Sequence, residues 1–265
     1  MSLRINNNVD ALIAHDGLTK TSTAVSKSME RLSSGLRINR AADDAAGLAI
    51  SESMRGQIRG LQQASRNIED GVSLVQTAEG SLDEVHSMLQ RVRELAVQYN
   101  NGTLSDANHT AIQSEVDQLK NEIERIGTSA KFNGVTLLDA DATSVTFQVG
   151  ANDGEQISVA LVSLGKELGS YSDLATVTLG AIDAAIDAVS KARAGFGAAQ
   201  NRLEHSLNVA ASTTENLSAA ESRIRDVDMA DEMVKLTKAQ ILQQAGTAML
   251  SQANQSPQSV LQLLR

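Results

Sequence analysis

The chain has 265 residues, a net charge of -9, no cysteine and one proline; 42% of it is hydrophobic but only 2% aromatic. So small an aromatic fraction argues against the bulky core and pocket walls of a compact enzyme, and the lack of cysteine excludes disulfides, a thiolate metal site and a Cys nucleophile. The net charge opposes general nucleic-acid binding, while its uneven spread, +3 over residues 1–66 and -12 over the remainder, suits self-association.

The opening "MSLRINNNVD" lacks the apolar core of a secretory signal, and no run of about 18 apolar residues offers a membrane span. Neither nucleic acid nor membrane is an expected partner. From about Asn6 to Ser33 the chain reads as helix, with Val9, Leu12 and Ile13, then Val25, Met29, Leu32 and Leu36, forming its apolar stripe. The stretch "RLSSGLRINRAADDAAGLAISE", Arg31 to Glu52, interrupts it. Its adjacent Asp43 and Asp44 would point about 100° apart on a helix and could not converge on one ligand. They are expected as first-turn caps, where the helix dipole favours negative charge. Ser33, Ser34 and Gly35 read as the end of the first helix.

A longer helix is expected to about Tyr99, striped by Leu61, Ile68, Val72, Val75, Leu82, Val85, Leu89, Val92 and Ala96 in a near-heptad pattern. Gly56, Gly60, Gly71 and Gly80 predict a break within it. After "NNGTLSD", with Ser105 or Asp106 as N-cap, Ile112, Val116, Leu119, Ile123 and Ile126 mark a third helix ending near Gly127. Between about Lys131 and Tyr171, β-branched residues alternate with polar ones around Asn133-Gly134 and Asn152-Asp153-Gly154, which predicts hairpins. Helix resumes near Thr176, with a seam of Leu203, Leu207, Ala210, Leu217, Ile224 and Val227. It continues as a stripe of Val234, Ile241, Ala245, Ala248 and Met249, and Pro257 is expected to close it.

The fold class is therefore mainly α: a long antiparallel helical bundle or coiled coil with a small β-hairpin region in the middle of the chain. The dispersed His15, His86, His109 and His205 form no metal pair, no Ser sits in G-x-S-x-G, and the glycines form no phosphate-binding loop. No cofactor and no catalytic residue are expected. Two amphipathic terminal helices with unpartnered faces point to a self-assembling structural protein. A coiled-coil adaptor ranks second and an enzyme a distant third.

Two long motifs carry a family resemblance. "RLSSGLRINRAADDAAGLAISESMRGQIRGLQQASRNIEDGVSLVQTAEG" resembles the N-terminal region of bacterial flagellins, and "SRIRDVDMADEMVKLTKAQILQQAGTAMLSQANQSPQSVLQLLR" is similar to their C-terminal region. The resemblance covers roughly residues 1–135 and 180–265. The central part departs, being far shorter than the outer domains many flagellins insert there. The resemblance implies a subunit of the extracellular flagellar filament, or, as an alternative, of the hook–filament junction. Residues 1–43 and 228–265 would form an inner coiled-coil domain, and 44–227 an outer rod.

It also implies the partners: further copies of the chain, an export chaperone, the type III export apparatus, and the filament cap and hook-associated proteins. Leu3, Ile5, Val9, Leu12, Ile241, Leu250, Val260, Leu261, Leu263 and Leu264 would serve inner-domain assembly and chaperone binding. Ser34, Gly35, Asn39, Asp43 and Asp44 would form the spoke between the domains. Within "LQRVRELAVQ", Gln90, Arg91 and Leu95, with Glu115 on the next helix, match the surface at which subunits pack and which the vertebrate Toll-like receptor 5 recognises. For the bacterium that receptor contact would be incidental.

Overall fold

A computed structural model describes residues 7–139, 144–164, 174 and 178–263, with side chains described to residue 255 in the last helix. Its helices are α1 (Val9–Ser34), α2 (Ala45–Tyr99), α3 (Asp106–Ser129), α4 (Leu179–Arg225) and α5 (Met229–Leu263). Between α3 and α4 lie two antiparallel pairs, β1 (Lys131–Phe132) with β2 (Val135–Thr136), and β3 (Ser144–Gln148) with β4 (Gln156–Ala160). Among the described residues no helix is long and apolar enough to cross a membrane. The chain divides into two compact units, one of residues 1–55 and 217–265, the other of residues 56–216. Leu3, Ile5 and Leu264 lie outside the described residues.

The core of residues 56–216 is a heptad seam made physical. On α2 the buried positions Leu61, Ala64, Ile68, Gly71, Val75, Ala78, Leu82, Val85, Leu89, Val92 and Ala96 recur three and four residues apart. Ile112, Val116 and Ile123 of α3, and Ile182, Ala185, Val189, Phe196 and Leu203 of α4, complete the same cluster. Alternation of side-chain direction turns Val145, Phe147, Ile157 and Val159 of the β3–β4 hairpin toward it. At Asn133 and Gly134, φ of 48° and 83° gives the β1–β2 turn the left-handed pair that the Asn-Gly dipeptide favours.

The break expected in α2 does not occur: the helix is continuous over 55 residues. Two of its glycines exist for close approach. A Cβ on Gly60 would lie 2.9 Å from the Ala151 Cβ, and one on Gly71 would lie 3.3 Å from the Phe147 ring. The helix thus keeps its hydrogen bonds and gives up side chains where the hairpin lies against it, at a propensity cost of about 1 kcal/mol each relative to Ala.

Pro257 is the second correction. The sequence predicts a stop there, yet α5 runs through it to Leu263. Proline lacks the N–H that would donate to the carbonyl four residues earlier, and that carbonyl belongs to Ala253. The Asn8 amide takes the vacant role, its Nδ2 donating to the Ala253 oxygen at 2.9 Å, while its Oδ1 caps α1 by accepting from Ala11 N at 3.1 Å. Asn8→Asp keeps the cap acceptor but removes the donor. In wild-type background it is expected to lower the melting point of the assembled protein; with Pro257→Ala present, the restored N–H should erase most of that loss. A double-mutant cycle on melting is expected to give a coupling of about 1 kcal/mol, and additive effects would contradict it.

Candidate assembly surfaces

Within residues 1–55 and 217–265, α1 and α5 pack antiparallel, as pairs 8 with 253, 18 with 246 and 28 with 232 establish. The α1 side of the seam is Ala11, Ala14, Leu18, Thr21, Val25, Ser28 and Leu32; the α5 side is Glu232, Leu236, Ala239, Gln243, Gly246 and Leu250. Both follow three–four spacing, and six of these thirteen residues are Ala, Gly, Ser or Thr. A Cβ on Gly246 would come within 3.4 Å of Leu18 Cδ1, so the backbones approach closely there.

This phase differs from the expected one. Val25 and Leu32 lie in the seam as expected, whereas Leu12, Ile13, Val234, Ile241 and Met249 are 75%, 66%, 67%, 60% and 64% exposed. Val9, Met29 and Leu242 are exposed as well. At 3.6 residues per turn, Val234 and Ile241 fall on the side of α5 opposite Leu236 and Ala239. Each terminal helix therefore has two apolar faces: a small-residue face used within the chain, and a large-residue face that the chain leaves uncovered. A helix apolar around its circumference is one that other helices surround. Leu250 belongs to the inner seam. Val260, Leu261 and Leu263 lie in α5, but their side chains are outside the described ones.

One polar cluster sits inside the seam. Glu232 is 2% exposed, accepts a 2.6 Å hydrogen bond from the Ser28 hydroxyl, and has Arg31 Nη1 at 3.8 Å and Lys235 Nζ at 3.6 Å. Sequence reasoning missed Ser28, Glu232 and Asn8. The only available signal was the Ala–Ser–Gly phase of the heptads, which large apolar residues one position away outweighed.

The segment after α1 is braced at every predicted position. Gly35, with φ of 71°, ends the helix by donating its N–H to Arg31 O at 2.8 Å, a left-handed conformation only glycine adopts without strain. The Ser34 hydroxyl accepts from the Asn39 amide at 2.7 Å and from Leu36 N at 3.2 Å. Leu36 pairs with Asp226 as a β-bridge, with Arg37 N donating to Arg225 O at 2.7 Å and Val227 N to Gly35 O at 3.0 Å. The Arg37 guanidinium adds a 2.6 Å bond to the Ile224 carbonyl.

The two aspartates do different work. Asp44 caps α2 as expected, accepting from Gly47 N at 2.9 Å. Asp43 is not a cap of that helix: its carboxylate turns back to accept from Asn39 N and Arg40 N at 3.3 and 3.2 Å, and pairs with Lys27 Nζ at 2.6 Å. The Lys27 ammonium, and after it the Arg40 N–H, hold the Asp43 carboxyl down at about 2. A lowered carboxylate contributes stability above its ordinary pKa and loses it as pH falls through the folded value, so this clasp is intact at neutral pH and fails only in strong acid.

Within residues 56–216, Gln90, Arg91 and Glu115 are exposed. Arg91 forms a fork, with Nη2 at 2.9 Å from Glu115 and Nη1 at 3.0 Å from Glu94, while Gln90 Nε2 lies 2.8 Å from His86 Nε2. Leu95 does not join them. It is 2% exposed and belongs to the core, because its position falls on the buried face of α2. Any surface role for this stretch therefore excludes the Leu95 side chain.

The profile of the bacterial flagellin N-terminal helical region matches residues 5–143, and that of the C-terminal helical region matches 179–264. The chain belongs to the bacterial flagellin family. It is 53% identical to a flagellin of Halalkalibacterium halodurans, with 98% of this chain and 99% of the relative covered. A flagellar filament 33 kDa core protein of Treponema phagedenis is 49% identical over 98% and 99% of the two chains. A crystal structure of Bacillus cereus flagellin superposes with a TM-score of 0.50 at 31% identity, covering 59% of this chain and 94% of that one. As a flagellin of short central region, the chain is a structural subunit of the extracellular flagellar filament. The hook–filament junction alternative draws no support from these relatives.

Proposed function

We propose that the uncovered apolar faces of α1 and α5 are the surfaces through which subunits polymerise, with residues 1–43 and 228–265 as inner domain and 44–227 as outer rod. The observation that carries this reading is the row of large apolar side chains, Leu12, Ile13, Val234, Ile241 and Met249, at 60% exposure or more. Fully burying one such side chain is worth about 1.5–3 kcal/mol, so a subunit with many of them gains strongly by joining others. Subunits that each present the same two faces and meet by a non-closing rotation grow into a helical filament. The segment from Ser34 to Asp44 is the spoke of this scheme, and its bonds hold one local conformation.

The remaining partners follow from that role. A chain whose apolar faces await neighbours needs a chaperone before export, and the C-terminal segment of the sequence with Val260, Leu261, Leu263 and Leu264 is its binding segment. Passage through a type III apparatus, and polymerisation beneath a cap on hook-associated proteins, complete the scheme. Its role is structural and not enzymatic. The exposed Gln90, Arg91 and Glu115 form a second subunit contact, which host Toll-like receptor 5 engages incidentally. Support for this comes from the Arg91 fork, which presents a fixed, charged surface.

Electron microscopy of the purified chain at neutral pH is expected to reveal long filaments, and a chain that stays monomeric at high concentration overturns the assembly reading. Arg91→Ala is expected to weaken both polymerisation and receptor activation several-fold. A variant unchanged in both would remove this face from the scheme.

A further inference from the structure

The chain has seven methionines, and their distribution is uneven. Met54 and Met88 are half-buried, whereas Met29, Met229, Met233 and Met249 are 53%, 49%, 50% and 64% exposed. Among the described residues the four exposed methionines all lie on α1 and α5 in the unit of residues 1–55 and 217–265. Met229 and Met233 stand one helical turn apart, and the Ser28–Glu232 hydrogen bond sets Met29 level with them along the helix pair. Met249 continues the apolar face of Val234, Ile241 and Leu242.

From this arrangement we propose that Met29, Met229, Met233 and Met249 form a peroxide-sensitive modification site, at which oxidation of the free subunit reversibly blocks its incorporation. The inference rests on the assembly reading above. The chemistry requires only a hydroperoxide as oxidant. A thioether sulfur lone pair attacks one peroxide oxygen, the O–O bond breaks, and the sulfur gains that oxygen as a sulfoxide. The peroxide is reduced by two electrons, and its other oxygen takes up the proton of the transferred one and leaves as water from hydrogen peroxide or as an alcohol from an organic hydroperoxide. The product carries a strong hydrogen-bond acceptor where a flexible apolar group stood.

On the exposed face of α5 that acceptor stands among Val234, Ile241 and Leu242, which supply no donor; the Thr237 hydroxyl is committed to the Met233 carbonyl, and Lys238 is the donor beside them. The acceptor remains solvated in the free subunit and is stripped of water when a neighbour covers the face. The α1–α5 seam itself contains no methionine, so the helix pair stays intact while assembly fails. Subunits already polymerised have these thioethers covered and resist the reagent. Reduction of the sulfoxides returns the apolar face.

The test uses full-length subunits treated briefly with hydrogen peroxide, followed by peptide mass mapping and measurement of the critical concentration for polymerisation. Oxidation is expected at Met29, Met229, Met233 and Met249 ahead of Met54 and Met88, with at least a tenfold rise in critical concentration. Incubation with methionine sulfoxide reductases should reverse that rise. The variant carrying Met29→Leu, Met229→Leu, Met233→Leu and Met249→Leu, swaps that nearly conserve volume, is expected to polymerise normally with or without peroxide. If oxidised wild-type subunits polymerise as well as untreated ones, or the leucine variant loses assembly to the same extent, the inference is wrong. If untreated wild type does not polymerise at all, the assembly reading itself has failed.

Discussion

Replacing Ile241 and Leu242 together by serine is expected to abolish filament formation at ordinary protein concentrations while leaving residues 56–216 folded. The two side chains are 60% and 51% exposed in the subunit, so polar replacements cost little within the chain. Both lie on the side of α5 away from the small-residue seam with α1. Losing two buried aliphatic contacts removes about 3–6 kcal/mol per subunit at the interface, equivalent to a rise of about two to four orders of magnitude in critical concentration. Sedimentation across a concentration series measures the loss. Circular dichroism melting of the remaining core, whose buried residues such as Leu82, Val85, Leu89 and Phe196 are untouched, should be unchanged. Filaments at the wild-type critical concentration would mean that this face of α5 is not an interface.

The same helix explains where sequence pattern suffices and where it misleads. Periodicity placed α2, α3 and α4 correctly, because in those helices a single apolar stripe, Leu82 through Val92 for example, faces a single core. In α1 and α5 two apolar faces compete, and large residues draw attention to the wrong one. Val234 and Ile241 look like core by size, yet Leu236, Ala239 and Gly246 are the residues that meet α1. A pattern of hydrophobicity says which side chains avoid water in the end; it does not say whether a neighbour in the same chain or in another copy covers them.

Pro257 and the glycines of α2 failed for a related reason. Propensity assigns proline and glycine to breaks, but long-range partners, the Asn8 amide in one case and Ala151 and Phe147 in the other, override the local preference. The joint was the more legible part. Gly35 as a left-handed terminator and Asp44 as a cap are local chemistry, readable from neighbours in sequence. The inward turn of Asp43 toward Lys27 was not, since that pair closes a gap of sixteen residues.

The buried cluster around Glu232 carries the other large expectation. Glu232→Ala removes a carboxylate that is 2% exposed and leaves the Ser28 hydroxyl and the Arg31 guanidinium facing a void in the α1–α5 seam. Arg31 Nε is already buried without a partner, so the guanidinium has little else to turn to. Breaking one side of such a cluster costs about 3–5 kcal/mol. On the assembly reading proposed above, which needs the helix pair, the critical concentration should rise by about two to four orders of magnitude.

Glu232→Gln keeps an acceptor for Ser28 and loses only the charge, so its cost is expected to be smaller, about 1 kcal/mol. The double replacement Ser28→Ala with Glu232→Leu removes the seam's hydrogen-bonded polar pair and fills the void, so it should polymerise better than Glu232→Ala even though Arg31 still loses its carboxylate. The reason is that apolar groups of similar volume replace a desolvated pair at little cost. What the double variant is expected to lose is register. With no polar pair fixing Ser28 opposite Glu232, the small-residue heptads of Ala11, Ala14 and Ala239 permit one-heptad slips between α1 and α5. Crosslinking between cysteines introduced at exposed positions 22 and 240, compared with pairs offset by seven residues, measures that slippage. A double variant with a single wild-type crosslinking pattern would place register control elsewhere, in the Asn8–Ala253 bond or the Leu36–Asp226 bridge.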